Sequence, residues 1–366
     1  ERVGKKLIGA WSIASNAGDN KKNRTAIAEC RKALSDGFEN ALKSHSDWWT
    51  EFWSRSKVRL PEPVLDRQYH LEMYKLGCVA RPGAPAITLQ SVWTADNGKL
   101  PPWKGDFHHD LNTQLSYWPT YSGNHIDLAA SFTDWLWAVR EEHKKYTQEF
   151  FNRNGLNVPG VTTLQGKPMG GWIQYSFSPT VSSWLAQHFY WQWLYTGDEN
   201  FLKEKAYPYI RDVAIFLDEI MVRENGIRKL PIGSSPEYND NRVSAWFRVW
   251  TNYDLSLVRN LFIMATRSAK AAGFPEEQKK WEVILTELPQ LDEYLAPIQR
   301  ARRMAAARGI SQVGPRRIIA FGEDRHLPAE QVVHRHPDAS GRLERHVDPR
   351  LRIERIGVRE IGRAHV

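Results

Sequence analysis

The chain has 366 residues, of which 42% are hydrophobic, 25% charged and 12% aromatic. This hydrophobic fraction is enough for a sizeable core and excludes wholesale disorder. No apolar run is long enough to span a bilayer, so the sequence predicts no transmembrane segment. Cys30 and Cys78 are the only cysteines, which excludes a disulfide framework and a cysteine-based zinc site.

The net charge of +8 is concentrated near the C-terminus. Residues 298–366 contain 15 Arg, no Lys and 8 acidic residues, whereas residues 1–297 carry 35 basic and 34 acidic groups. GC-rich DNA translated in the wrong reading frame gives an Arg-rich sequence of this kind. Residues 360–366 also resemble one reading frame of a sequencing-library adapter. We therefore predict that residues 298–366 are frameshifted or adapter-derived rather than native. The alternative is a genuine basic tail that binds nucleic acid or an acidic surface.

Residues 1–297 are predicted to be mainly helical. Apolar residues at three-, four- and seven-residue steps predict one amphipathic helix over Thr25–Trp53. A long helix is predicted to begin at an Asn124 cap and to end before Gly155. His188, inside an apolar predicted helix, is interpreted as a hydrogen-bonded core residue rather than a catalyst. Further helices are predicted over residues 65–76, 181–195, 201–221, 255–272 and 276–288.

Long loops rich in Trp, Gly and Pro separate these helices, over residues 79–107, 155–180 and 228–250. Loops of this length are usually either functional or disordered, and their aromatic content argues against disorder. Paired helices that alternate with aromatic loops predict an all-α array of helix pairs with a binding face on one side. The sequence shows no repeat of fixed period.

A first cluster of chemically active residues lies at 103–112, where ionisable side chains alternate with aromatic ones. The adjacent His108 and His109 would point in different directions in any regular element, which disfavours a metal site. A sugar site fits better, since aromatic rings stack on a pyranose while Asp110 and Asn112 bind its hydroxyl groups. The competing interpretation is a helix start at which Asp110 or Asn112 caps backbone amides.

A second cluster is the turn-rich segment 231–241, in which Glu237 stands among Pro, Gly and Ser. A general acid for glycoside cleavage needs a carboxyl group beside the leaving oxygen, and a loop glutamate suits that role. The alternative is a solvated surface charge. We find no phosphate-binding glycine loop, no Gly-x-Ser-x-Gly elbow and no His-Glu-x-x-His motif, so nucleotide, serine-hydrolase and zincin chemistry lose support.

The order of the motifs along the chain is itself informative. They are Leu89–Trp93, Pro101–Trp103, Asp110–Gln114 leading into Tyr117–Pro119, Gly171–Trp172, Tyr195–Asp198 with Phe201–Leu202, and Ser235–Glu237. Together they resemble the catalytic domain of glycoside hydrolase family 95, the inverting α-L-fucosidases and their relatives, over about residues 25–290. The Tyr195–Asp198 stretch resembles toroid glycosidases more widely.

The resemblance implies an all-α fold, an incomplete (α/α)6 toroid with long aromatic loops, truncated at both ends. Residues 1–22 would be the end of a missing N-terminal β-domain or a linker, and 23–60 a linker helix. Residues 61–297 would be a partial catalytic domain. We expect the chain as written to be insoluble or inactive, because a toroid that lacks its last helices leaves apolar helix faces exposed to water.

The resemblance also implies a reaction, the hydrolysis of a terminal α-linked sugar with inversion. The substrate would be an oligosaccharide or glycan carrying an α-L-fucoside or a related α-L-galactoside-like sugar. Glu237 matches the general acid, and Asn112 matches the asparagine that holds the attacking water. No cofactor or metal, and no nucleic acid or membrane partner, is expected. Because members of the family often work outside the cytoplasm, the resemblance implies a secreted or periplasmic location. The residues expected to form the sugar pocket are Trp93, Trp103, His108 and Trp172.

Two positions depart from the family pattern. Asp110 stands where the family has an asparagine, and a carboxylate there can itself act as the base. In inverting enzymes the acid and the base lie about 6.5–9.5 Å apart, which Asp110 and Glu237 would satisfy. After Trp172, the residues at 173–176 replace an expected His and Asn, which leaves fucose specificity open. The alternatives are a non-catalytic sugar-binding remnant of the same scaffold and a toroid-type glycoside phosphorylase.

Overall fold

The computed structural model describes residues 2–3, 6–13, 26–93, 99, 102–169, 173–234 and 242–291. These residues are mainly helical, and their strands are only two or three residues long. None of the described helices has both the length and the apolar composition needed to cross a bilayer. The helices are α1 (Ala26–Asp36), α2 (Phe38–Arg55), α3 (Pro63–Val79), α4 (Asn112–Ser122), α5 (Ile126–Ala138), α6 (Arg140–Phe151), α7 (Ile173–Phe177), α8 (Val181–Thr196), α9 (Glu199–Phe201), α10 (Tyr207–Ile220), α11 (Asn252–Ala272) and α12 (Pro275–Glu287).

Helix α8 holds the described core together, since it packs against α4, α5, α10 and α11. Apolar and aromatic residues lie all round this helix, as expected for one that is buried on several sides. Leu185 and Phe189 are fully buried, and the Phe189 ring stacks on Tyr209 of α10 at 4.1 Å between ring centroids. Gly197, with φ of 66°, ends the helix in the left-handed conformation that glycine adopts without strain.

Short antiparallel strand pairs lie between the helices of the described chain. Two of these pairs lie in the predicted long loops and determine which loop segments meet. In one pair Phe107 is opposite Thr162, and in the other Gly233 is opposite Phe247. The pairs are β1 (Arg2–Val3) with β2 (Lys6–Leu7), β3 (Phe107–His108) with β4 (Val161–Thr162), β5 (Val222–Glu224) with β6 (Ile227–Lys229), and β7 (Gly233–Ser234) with β8 (Trp246–Phe247).

The prediction of one helix over Thr25–Trp53 is wrong, because the chain forms two helices, α1 and α2, on either side of Gly37. Gly37 has φ of 80°, which a continuous right-handed helix cannot accommodate. The predicted apolar stripe is also mostly exposed in the described structure. Ile27 and Phe38 are 65% and 60% exposed, whereas Phe52 is buried and stacks on the ring of His125 at 3.9 Å.

The long helix predicted from Asn124 is likewise two helices, α5 and α6, which meet at Val139 with φ of −93° and ψ of 4°. Asn124 does not cap α5, because His125 occupies the cap position. Asn124 instead adopts φ of 58°, and its side-chain amide donates to the backbone oxygen of Arg55 at 3.0 Å. It is therefore a turn residue that ties the start of α5 to the end of α2.

Helix α4 was not predicted, and it begins inside the first chemically active cluster. Leu111 occupies its cap position without a side-chain hydrogen bond, and Asn112 is the first residue of the helix rather than its cap. The predicted helix over 201–221 is also divided, into a π-helical turn at Leu202–Ala206 and α10. The helices predicted over 65–76, 181–195, 255–272 and 276–288 are confirmed as α3, α8, α11 and α12, with ends that differ by up to three residues.

Candidate active site

Three segments that are distant in sequence are joined by consecutive backbone hydrogen bonds. The amide of His109 donates to the oxygen of Gly160 at 2.7 Å, and the amide of Gly160 donates to the oxygen of Tyr175 at 2.6 Å. The β3–β4 pair supports this link just before His109. The start of α4 and helix α7 are therefore held at fixed positions relative to each other by the backbone alone.

The loop before α4 is fixed by buried side chains. His109 is fully buried, and its Nε2 atom lies 2.8 Å from the Thr162 hydroxyl. Gln114 donates to the backbone oxygen of His109, and Thr113 donates to that of His108, both at 2.7 Å. Burial lowers the pKa of His109 well below its usual value, with the nearby imidazoles adding to this effect, so the ring is neutral. His109 is thus an anchor of the loop.

Two of the predicted sugar-binding residues, Trp103 and His108, lie together. Their ring centroids are 5.6 Å apart, and the Trp103 ring is 54% exposed. Trp103 has φ of 66°, a left-handed conformation that is costly for a bulky residue and that often occurs at functional sites. The Nε2 atom of His108 lies 3.1 Å from a carboxylate oxygen of Asp106, a partner that sequence analysis did not identify.

Trp93 is placed less closely. It is half exposed, and its amide donates to the oxygen of Gln90 at 3.0 Å in a turn. The amide of Leu89 donates to the oxygen of Asp106 at 2.9 Å, which ties this turn to the His108 loop. The described ring contacts pair Trp103 with His108 and do not include Trp93. Its predicted role in the sugar pocket therefore rests on the sequence.

A small polar pocket, with room inside for about one water-sized group, lies where helix α7, the start of α8, strand β7 and the start of α11 meet. Its lining was not predicted as a group, since the residues come from three separate segments. The sequence signal for it was weak, because single Gln, Ser and Tyr residues form no motif. The lining residues are Gln174, Tyr175, Ser178, Pro179, Thr180, Ser234 and Tyr253.

Asp110, the predicted base, lies near this pocket. Its side chain is mostly buried, with 8% of the residue exposed. Burial raises the pKa of Tyr253 well above its usual value, and the negative charges of Asp254 and then Asp110 raise it further. Asp110 is therefore close enough to act electrostatically on a residue of the pocket wall. Asn112, the other predicted water-holding residue, is the first residue of α4.

Asp254 supports the pocket from behind. It is 1% exposed and accepts hydrogen bonds from the hydroxyls of Thr180 at 2.6 Å and Thr251 at 2.8 Å. Burial raises the pKa of Asp254 to about 6, although both hydroxyls act in the opposite direction. A Cβ atom on Gly233 would lie 2.7 Å from a carboxylate oxygen of Asp254, so strand β7 packs tightly against this carboxylate. The spacing of Thr251 and Asp254 resembles a helix capping box, a signal that predicts a helix start but no functional role.

Two of the predicted site residues, Glu237 and Trp172, lie outside the described residues. For each of them, a described residue nearby in the sequence lines the pocket. Ser234 lines the pocket three residues before Glu237, and Gln174 lines it two residues after Trp172. The described residues contain no cluster of three or more His, Cys, Asp or Glu side chains placed to hold a metal ion.

The all-α helical architecture and the motifs agree with comparison to known proteins. Residues 39–299 match the glycosyl hydrolase family 95 catalytic domain, and the chain belongs to this family. A solved structure from the human microbiome, assigned as a kojibiose phosphorylase, covers 72% of this chain and 37% of its own at a TM-score of 0.50. With 13% identity this likeness concerns the fold alone, and it confirms the predicted toroid-type helical fold.

Two curated relatives are named as fucosidases. The chain is 29% identical over 168 residues to Alpha-L-fucosidase 2 of Arabidopsis thaliana, covering 45% of this chain and 20% of the relative. It is 24% identical over 206 residues to Probable alpha-fucosidase A of Aspergillus niger, covering 53% of this chain and 25% of the relative. The chain therefore spans about a quarter or less of the length of these relatives.

Proposed function

We propose that the protein hydrolyses a terminal α-L-fucoside, or a closely related α-linked sugar, with inversion at the anomeric carbon. Membership of family 95 and the names of the two relatives support this substrate class. The observation that carries the proposal is that one small pocket is formed from the segments that flank Trp172 and Glu237 and lies near Asp110. These are three of the places at which the sequence predicts site residues.

In this mechanism Glu237 donates a proton to the leaving glycosidic oxygen. Asp110 takes a proton from a water molecule, and Asn112 helps to orient that water for attack on the opposite face of the sugar. Trp93, Trp103, His108 and Trp172 would bind the sugar ring. The burial of Asp110 suits a base, since a carboxylate shielded from bulk water interacts more strongly with the water that it activates.

The proposed roles predict large losses of turnover. With the protein expressed from its complete open reading frame, Glu237→Gln and Asp110→Asn should each lower kcat on an aryl α-L-fucoside by at least about a hundredfold. Asp134→Asn is a matched control, because Asp134 is half exposed and pairs with Lys205 at a distance from the pocket lining. If Asp110→Asn keeps full activity, the base is Asn112 and the assignment of Asp110 is wrong.

The stereochemical outcome is a separate test. Anomer-resolved NMR at early times should show the β-anomer as the first sugar released from an α-linked substrate. A first product that retains the α configuration would exclude a directly attacking water. Turnover that depends on added phosphate would instead support a phosphorylase, and sugar binding without any turnover would support the non-catalytic remnant.

A further inference from the structure

The small pocket contains buried polar atoms for which the described structure provides no partner. Gln174 is 2% exposed, and neither its amide oxygen nor its amide nitrogen has a hydrogen-bond partner. The hydroxyl of Tyr253 is also buried and unpartnered. Both residues line the same pocket. Leaving such groups unpaired costs free energy, and three such atoms at one pocket indicate a polar ligand that pairs with them.

The charges around the pocket restrict what that ligand can be. The described lining includes no Lys, Arg or His side chain. Two carboxyl groups, Asp254 and Asp110, lie close enough to raise the pKa of the Tyr253 phenol. A phosphate or carboxylate would be repelled by these groups and would find no cation in the lining. A neutral ligand is therefore favoured.

The hydrogen-bonding groups restrict the ligand further. The amide of Gln174 provides two donors and an acceptor, and the Tyr253 hydroxyl provides a donor and an acceptor. Sugar hydroxyl groups both donate and accept, so they can pair with all of these atoms. Ser234, 7% exposed on strand β7, adds a further hydroxyl to the same wall.

The position of both side chains is fixed by the fold. Gln174 lies on α7, whose residue Tyr175 accepts the amide hydrogen bond of Gly160. Tyr253 lies in the first turn of α11, which Thr251 caps by accepting from the amide of Asp254 at 3.0 Å. The backbone that carries both side chains is therefore fixed before a ligand binds, which favours selective recognition.

We propose that Gln174 and Tyr253 form a specificity subsite that hydrogen-bonds one hydroxyl group of the substrate's terminal sugar. The proposal rests on the function proposed above and extends it, because it names residues that select the sugar rather than cleave it. A site built to pair with a hydroxyl group discriminates strongly against an analogue that lacks that group, since its buried polar atoms are then left unpaired.

The test combines substitutions with deoxygenated substrates. Aryl α-L-fucoside and its monodeoxy analogues are assayed with the protein from its complete open reading frame, together with Tyr253→Phe and Gln174→Leu. Each substitution should lower kcat/KM on the parent fucoside about three- to tenfold, mainly through KM. For one monodeoxy analogue, kcat/KM should be the same in the variant as in the wild-type protein, because the analogue already lacks the hydroxyl group that makes the contact.

Tyr209→Phe is the matched control, since the hydroxyl of Tyr209, like that of Tyr253, is buried without a described partner, and Tyr209 lies in the core against Phe189. This control should leave KM and the response to every analogue unchanged. The opposite result would be that Tyr253→Phe and Gln174→Leu change only the melting temperature. The loss of kcat/KM caused by each deoxy substrate would then be the same in the variants as in the wild-type protein. In that case the unpaired atoms bind water and the subsite is refuted.

The failure of the subsite can be distinguished from the failure of hydrolysis. If the wild-type protein shows no turnover, L-fucose and L-galactose are titrated into it by calorimetry. Binding that is weakened by both substitutions but not by Tyr209→Phe would support the subsite while refuting hydrolysis. Binding unaffected by the substitutions, or no binding of either sugar, would overturn the subsite.

Discussion

Histidines buried in the core should make the fold sensitive to mild acid. His109, His143 and His188 are all fully buried. Burial lowers the pKa of His143 and of His188 to about 3, and it lowers the pKa of His109 well below its usual value. In the unfolded chain a histidine titrates near 6.5, so acid protonates the unfolded state first and draws the protein towards it.

The sign and size of the effect follow from these values. The stability that each neutral histidine contributes is complete above pH 6.5, and it falls as the pH drops from 6.5 towards about 3. Between pH 7.5 and 5.5, His143 and His188 each remove between about 1 and 2 kcal/mol from the free energy of unfolding. Asp254 acts in the opposite direction, because its pKa is raised to about 6, and it restores a smaller amount. The net loss is about 2 kcal/mol, and the lowered pKa values of His109 and His125 add to it.

Urea unfolding at pH 7.5 and 5.5 measures this difference directly. His188→Gln should lower the stability at both pH values but should reduce the pH-dependent difference by between about 1 and 2 kcal/mol. His45→Gln provides the control, because His45 is exposed on α2 and should leave the difference unchanged. Equal or greater stability of the wild-type protein at pH 5.5 would show that the buried imidazoles are solvated or paired in a way that contradicts the structure.

Two further substitutions test the geometry around the pocket. Gly233→Ala would place a methyl group 2.7 Å from the Asp254 carboxylate, so it should cost about 1–3 kcal/mol of stability and lower kcat, measured by urea unfolding and fucoside turnover. Gly9→Ala, with no atom within 4 Å of the added carbon, should be neutral in both assays. Trp103→Gly should raise KM about three- to tenfold, because a sugar-stacking ring is lost. It should change stability by less than about 1 kcal/mol, since relief of the positive φ offsets the added flexibility, and an unchanged KM would exclude Trp103 from the sugar site.

Helices were predictable from the sequence where local pattern and packing agree. Helix α8 has apolar residues on every side and glycine at its end, and its predicted bounds differ from the observed ones by one residue. The prediction was wrong at Gly37 and Val139, where the apolar periodicity continues through a break in the backbone. Periodicity reports which face of a segment is apolar, but it does not report the φ and ψ angles of a single residue between two helices.

The candidate site was predictable only in part, for a related reason. Trp103 and His108 are close in sequence, so their contact could be anticipated from the cluster around them. The pocket formed by Gln174, Ser234 and Tyr253 depends on how α7, β7 and α11 meet, and no local pattern encodes that meeting. The roles of Glu237 and Trp172 remain predictions from the family motifs.

Several features near the pocket lower the stability of the folded protein, and they support the assignment of the pocket as a functional site. Asp254 is buried with a pKa of about 6, so ionising it at neutral pH opposes folding by about 3 kcal/mol relative to an ordinary aspartate. Gln174 and Tyr253, which line the pocket, leave buried polar atoms unpaired. Sequences generally satisfy local rules except where function requires otherwise, because selection for stability alone would remove such features. That Asp254, Gln174 and Tyr253 all lie at or beside this pocket is therefore expected if the sugar binds here rather than among the packed helices.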